Sequence, residues 1–434
     1  MTPKPHASKT PSLYDRVRDR QILLRAWRII RSNAERSGNK DTLKAAKLFE
    51  ENLLSNIENI QRRLRNGNWK FSKAYGAPVR KGKNKTGKRG LVIAPIRDRL
   101  VQRAILDVIY SYCTSAAVID VLKTATSVGG VPGRGIGHAL ANIERAVVGG
   151  AAHVIRSDIH NFFPELPRKD VVAFMQKHIE DKNFVRLFEQ AITVELENRA
   201  TLGADSDLFP LGEDGVAQGS PLSVLAGNIV LKDFDRELNS RGIVCIRYID
   251  DFLILAPSKR AGEKALAAAL KALSVLKLQA YLPGDESGKA YSGPADTAYD
   301  FLGYKIVQGL NPPSDKSCQK LLGKIDAEMQ EGKKWINRRI EDDLPDVRVR
   351  QCYIQTLTQI DSILRGWAGA FQFSQSLQSL EALDSRINRR LVDFERWFDA
   401  AIRDQPSRVQ IRAMGMRLLS DSTPTQLPVL TEMD

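Results

Sequence analysis

Residues 243–256 read Ile-Val-Cys-Ile-Arg-Tyr-Ile-Asp-Asp-Phe-Leu-Ile-Leu-Ala. The run is dense in Val, Ile, Leu and Tyr and reads as β-strand, yet Asp250 and Asp251 stand in its middle. Carboxylates are seldom buried unless they are paired or hold a metal. A hairpin with Ile249 and Asp250 at its tip resolves the conflict, because Asp250 then leaves the end of the sheet, where a cation can sit. A second apolar strand, His-Val-Ile-Arg-Ser-Asp-Ile (153–159), ends in another carboxylate, Asp158. Three carboxylates at neighbouring strand ends suit Mg²⁺, which prefers oxygen ligands and keeps room for water and substrate phosphate. Two such ions, about 3.5–4 Å apart, can activate a hydroxyl and stabilise the leaving oxygen of an in-line phosphoryl transfer. An Asp-Asp pair alone is more often a solvated turn; the apolar flanks and the third aspartate on a separate strand favour chemistry. His153 and His160 are poorly spaced for a metal and read as strand and loop histidines.

Outward from these strands the pattern alternates between helix and strand. Residues 13–67 read as helical, with Leu53, Ile57, Ile60 and Leu64 forming one stripe that Gly67 and Asn68 end. Residues 70–95 read as a hairpin around the basic loop 80–90. Helical faces follow in 98–113 (Leu100, Ala104, Ile105, Val108) and 262–278 (Leu266, Leu270, Leu273, Leu276). This order predicts an α+β fold with helices on one side of an antiparallel sheet. From about residue 311 helix-period segments take over, and 420–434 reads as a tail.

The 434 residues are enough for two or three domains, and no apolar run reaches the length of a membrane span. The N-terminus has no apolar secretory core. Four separated cysteines make neither a zinc knuckle nor a disulfide framework. A cytoplasmic protein with no membrane partner is expected. The net charge of +14 is unevenly placed: residues 1–110 hold 26 basic and 9 acidic residues, and the remainder is nearly balanced. Such a field attracts a polyanion, with nucleic acid the first candidate and an anionic lipid surface the second. Gly82–Arg89 nearly spells a phosphate-binding loop but ends in Arg where Ser or Thr is required, so it reads as a solvated hairpin tip.

The ordered set Asp158 with Phe162-Phe163, Gln218-Gly219-Ser220-Pro221-Leu222-Ser223, Tyr248-Ile249-Asp250-Asp251 and Phe301-Leu302-Gly303-Tyr304 resembles the palm motifs of reverse transcriptases. Residues 88–105 resemble the fingers motif of the bacterial enzymes, and 364–391 the thumb of the group II intron enzymes. The resemblance implies a right-hand polymerase: a basic N-terminal region and fingers (1–110), a palm with an antiparallel ferredoxin-like sheet and remaining fingers elements (111–310), a helical thumb (311–400) and a tail (401–434).

The same resemblance implies roles. Asp158, Asp250 and Asp251 would be catalytic, holding two Mg²⁺ ions (or Mn²⁺) with the Ile159 carbonyl. Phe163 would be the sugar gate that excludes a 2′-hydroxyl. Gln218, Gly219 and Tyr248 would line the nucleotide pocket, Lys88 and Arg89 would hold the triphosphate, and Lys289 would protonate pyrophosphate. Arg134, His138 and Trp367 would contact nucleic acid. The expected partners are an RNA template, deoxynucleoside triphosphates and the DNA product, and an oligomer is open. Ser223-Val224, Gln218 and the lack of a Val-Thr-Gly motif set the chain apart from the intron, diversity-generating and retron branches. What remains is similar to the reverse transcriptases of antiphage defence, many of which copy a structured noncoding RNA. An intron-type maturase, and template-independent or protein-primed synthesis, are the alternatives.

Overall fold

The computed structural model describes residues 11–421, apart from 38, 81–86, 240–241, 287, 308 and 343–351 and the side chain of 342. The chain divides into two compact units, Met1–Ala295 and Asp296–Asp434.

The first unit opens with helices Leu13–Val17, Arg20–Arg36, Lys40–Glu51 and Leu53–Arg65. Ser12 closes a capping box over the first, and Asp19 accepts from two backbone N–H groups of the second. Ile57, Ile60 and Leu64 are buried as their spacing requires. The long helix Ile96–Tyr112 packs against Arg20–Arg36, with Leu100, Ala104, Ile105 and Val108 wholly enclosed. Phe184 and Phe188, on Lys182–Ile192, complete this core and contribute about 1.5–3 kcal/mol each by burial. Between the helices runs an antiparallel ribbon, β1 (Tyr75–Arg80) and β2 (Lys88–Ile93), pairing Tyr75 with Ile93 and Arg80 with Lys88. Its expected tip, with residues 82–86 of the phosphate-loop look-alike, lies outside the described residues. Among the described residues no single helix is long and apolar enough to cross a membrane.

The central sheet holds β3 (His153–Asp158), β4 (Val244–Tyr248), β5 (Asp251–Ala256) and β6 (Tyr291–Pro294) in the order β4-β5-β3-β6, antiparallel throughout. Helices on one side only were expected, but both faces are covered. Helix Lys259–Val275 lies on the His153, Ile155 and Ala256 face, so close that a Cβ at Gly262 would touch all three. Val154, Ile246, Leu253 and Leu255 on the opposite face are just as enclosed, and helix Ile136–Val148 packs on β4 and β5. That is why β5 carries an unbroken apolar run instead of alternating.

The second unit begins with a hairpin, β7 (Tyr299–Phe301) and β8 (Tyr304–Ile306), turning through Leu302 and Gly303, both at positive φ. The unit boundary therefore precedes this hairpin, upstream of the 310/311 division expected from composition. The cause is visible: Tyr304, fully buried, donates its hydroxyl to the Ala370 carbonyl at 2.9 Å, and Ser314 N–H donates to Gly303 O. Helices Asp315–Asp342, Tyr353–Ala370 and Leu377–Ile402 share a core of Leu321, Ile325, Ile336, Ile360, Ile387, Phe394 and Phe398. Order extends into the region assigned to the tail: Ser407–Met414 is a helix with Val409 and Ala413 buried. Residues 422–434 lie outside the described residues.

Candidate active site

The strand pairing brings the acidic residues together. Asp158 and Asp251 are register partners across β3 and β5, and Ile159 N–H donates to the Asp250 carbonyl at 3.1 Å. On the other side of β3, Tyr281 N–H donates to the Asp158 carbonyl at 3.1 Å and Ser157 Oγ to the Tyr281 carbonyl at 2.7 Å. The backbone of Asp158 is thus clamped from both flanks.

Asp250 occupies the turn between β4 and β5, preceded by Ile249 at φ +64°. Burial, then the nearby Asp158 charge, push the Asp250 carboxyl up to about 6. Burial, Asp158 and Asp250 push Asp251 up to about 7. Like charges crowded into a half-buried site resist ionising together. Lys289 supplies part of the missing positive charge: its Nζ lies 3.1 Å from Asp158 Oδ2 and 4.2 Å from the centre of the Tyr281 ring. Burial, the largest single influence, would lower this ammonium, but Asp158 and Tyr281 together outweigh it and the Lys289 pKa lies above its ordinary value. The donor set is all carboxylate oxygen, which fits a hard divalent cation. Among the described residues no acidic, His or Cys side chains stand already gathered as a metal cage; Asp158 is turned to Lys289 instead.

A cleft of about 410 Å³ opens in front of the carboxylates, lined by Asp158, Ile159, Phe162, Phe163, Gln218, Asp250, Tyr281 and Lys289, and by Lys88 and Arg89 from β2. Phe163 is half-buried against Phe162, and its carbonyl accepts from Val216 N–H at 2.8 Å, which anchors its backbone at the cleft. Lys88 is held by Asp205 at 2.7 Å and Arg89 is exposed.

Other sequence-named residues fall elsewhere. Gly219, at φ +118°, faces a separate cavity of about 360 Å³ behind β2, and a Cβ there would come within 3.0 Å of the Val92 carbonyl. Tyr248 ends β4 without lining the cleft, and Asp251 opens β5. Arg134 donates to the carbonyls of Lys123, Thr124 and Ser127, so it braces a loop of its own unit. His138 is exposed on helix Ile136–Val148. Trp367 belongs to the second unit, its ring 4.5 Å from that of Phe371.

Two residues escaped the sequence reading. Tyr281 stacks on His160 at 3.7 Å and presents its ring to Lys289. Arg247 looks like an ordinary strand residue but is fully buried; only its place two residues before an acidic turn hinted at it.

Residues 79–283 match the family model described as reverse transcriptase (RNA-dependent DNA polymerase). Protein YkfC of Escherichia coli (strain K12) is 21% identical over 257 residues, covering 51% of this chain and 63% of its own length. The chain therefore spans less than two thirds of that relative. Among solved structures, a partial Cas6-RT-Cas1–Cas2 complex is 23% identical over 64% of this chain and 45% of its own, with a TM-score of 0.35. Apo telomerase from Candida tropicalis is 14% identical over 80% of this chain and 63% of its own, with a TM-score of 0.40. The motif order, the antiparallel sheet with its acidic turn and the family match lead to one assignment: residues 79–283 are a reverse transcriptase domain of the α+β, right-hand polymerase class.

Proposed function

We propose that the protein is an RNA-directed DNA polymerase. The observation that carries the reading is the single cleft uniting Asp158, Asp250, Phe163, Gln218, Lys88, Arg89 and Lys289 from five separate stretches of chain. Divalent cations bound to Asp158, Asp250 and Asp251 would supply the charge that activates a primer 3′-hydroxyl and steadies the leaving pyrophosphate. Lys88 and Arg89 hold the triphosphate, Arg89 with a guanidinium fork matched to phosphate oxygens. Phe163 fills the space a 2′-hydroxyl would need, which selects deoxynucleotides. Lys289, protonated and beside Asp158, is placed to give its proton to the pyrophosphate oxygen. The basic first quarter of the chain holds template RNA through its phosphates.

The working context proposed is antiphage defence with a dedicated noncoding RNA, supported by the departures from the other bacterial branches noted above. Extension of a DNA primer on an RNA template by purified protein tests the chemistry. Asp250→Asn should abolish synthesis while RNA stays bound; wild-type extension by that variant would end the reading. DNA made unchanged after RNA removal would instead favour template-independent addition. Sequencing the copurifying RNA tests the context: one discrete species supports it, and a random pool of transcripts counts against it.

A further inference from the structure

Behind the acidic turn lies a buried ion pair. Arg247, in β4 and 1% exposed, directs Nε to Asp235 Oδ1 at 2.7 Å and Nη2 to Asp235 Oδ2 at 2.5 Å. Nη2 also donates to Ser127 Oγ at 2.9 Å and Asn228 Oδ1 at 3.1 Å. Nη1 donates to the carbonyl of Ile249 at 2.8 Å.

Those partners come from different places. Asp235 lies on helix Lys232–Leu238. Asn228 lies on helix Ser223–Val230, which begins directly after the Gln218–Leu222 segment, and it donates to the Gly129 carbonyl at 3.3 Å. Ser127 lies in a loop that pairs with β4, Arg247 N–H donating to Thr126 O and Val128 N–H to Arg247 O, both at 2.9 Å. The same loop brings Gly129 so near the turn that a Cβ there would stand 2.5 Å from the Ile249 nitrogen.

Ile249 needs such a frame. A β-branched residue at φ +64° is strained and persists only where its surroundings over-determine it. Stability alone gives a poor reason for the frame. The desolvation of a buried ion pair often cancels its attraction, and apolar residues of similar volume frequently do as well. What apolar side chains cannot do is donate to the Ile249 carbonyl in a fixed direction, and the planar guanidinium does so while its other edge is held by Asp235.

We infer that Arg247 is a positioning residue for the acidic turn. It holds Ile249 in its left-handed conformation, which sets where Asp250 and Asp251 point relative to Asp158, and it ties that turn to the helix following Gln218. The inference rests on the proposed polymerase reading in one respect, that these carboxylates hold divalent cations.

The test uses the full chain, with Mn²⁺ as probe, followed by electron paramagnetic resonance. In Arg247→Met/Asp235→Leu both buried charges are removed together, so thermal stability should stay near that of the wild type. Mn²⁺ binding should weaken about 10-fold, as for other residues that orient metal ligands. The single-turnover incorporation rate per folded enzyme should fall by about 10-fold or more, with the nucleotide KM little changed. Arg247→Lys keeps a cation opposite Asp235 but loses the fork, and it should show the same loss of Mn²⁺ affinity. A folded variant of either kind that binds Mn²⁺ and incorporates nucleotide as the wild type does overturns the inference. Asp250→Asn separates the two claims: if it leaves Mn²⁺ affinity untouched, the assignment of the carboxylates to cations fails, not the role of Arg247.

Discussion

At the scale of single residues, the acidic trio is held at a cost. Asp250 and Asp251 are pushed up to about 6 and about 7 from an ordinary carboxylate value, so the folded protein keeps protons that the unfolded chain releases. The contribution of this pair to stability without metal is therefore largest in acid, falls as pH rises from about 4 to about 7, and then levels. Thermal melts in a chelator across that range should show the decline, and the double change Asp250→Asn, Asp251→Asn should flatten it while abolishing synthesis. Mg²⁺ should raise the melting temperature more at pH 8 than at pH 5. On the proposed reading sugar choice rests on one ring: Phe163→Ala should admit ribonucleotides, measured as the ratio of kcat/KM for the two sugars, and an unchanged ratio would remove Phe163 from that role.

At the scale of elements, the turn between β4 and β5 and the loop beneath it act as one piece. Gly129→Ala puts a methyl group against backbone, 2.5 Å from the Ile249 nitrogen and 2.9 Å from the Tyr248 carbonyl carbon, so the turn has to move. Incorporation should drop by about 10² for a displacement near 1 Å, read in single-turnover assays alongside an unchanged circular dichroism spectrum. Much of this region was legible in advance. The apolar density of 243–256 and 153–159 announced both strands, and aspartates inside such runs marked the turn and strand end that the fold brings together. The Arg247 frame was not legible, because its partners Ser127, Asn228 and Asp235 are distant in sequence and none is unusual for its segment. Two-sided burial of the sheet was missed for a related reason: an uninterrupted apolar strand is also what a hairpin beside an acidic turn looks like. Tyr281 meets Asp158 from an irregular stretch where no periodicity could guide the eye, and Lys289, in the same stretch, was named only through the family resemblance.

At the scale of the whole molecule, two units and an uneven charge distribution define what can be tested. Periodicity disclosed the helical second unit but not its first residues, since three-residue strands such as β7 and β8 carry too little pattern to show which core they join. RNA binding is expected to weaken steeply with salt, each phosphate contact contributing about 0.7 to the slope of log K against log salt for a single strand. Replacing the exposed Arg62, Arg63 and Arg65 with Gln should lower both affinity and slope in filter-binding titrations, leaving the melting temperature nearly unchanged. A slope identical to that of the wild type would move the RNA contact away from this helix.

The sheet order has a mechanical consequence. β3 is flanked by β5 and β6, whereas the ribbon bearing Lys88 and Arg89 has only its two strands. Deuterium should enter the ribbon's amides early and those of residues 154–159 last. On the proposed reading, the arm that would grip phosphate can give with each nucleotide that arrives, while the inner strand that carries Asp158 does not yield.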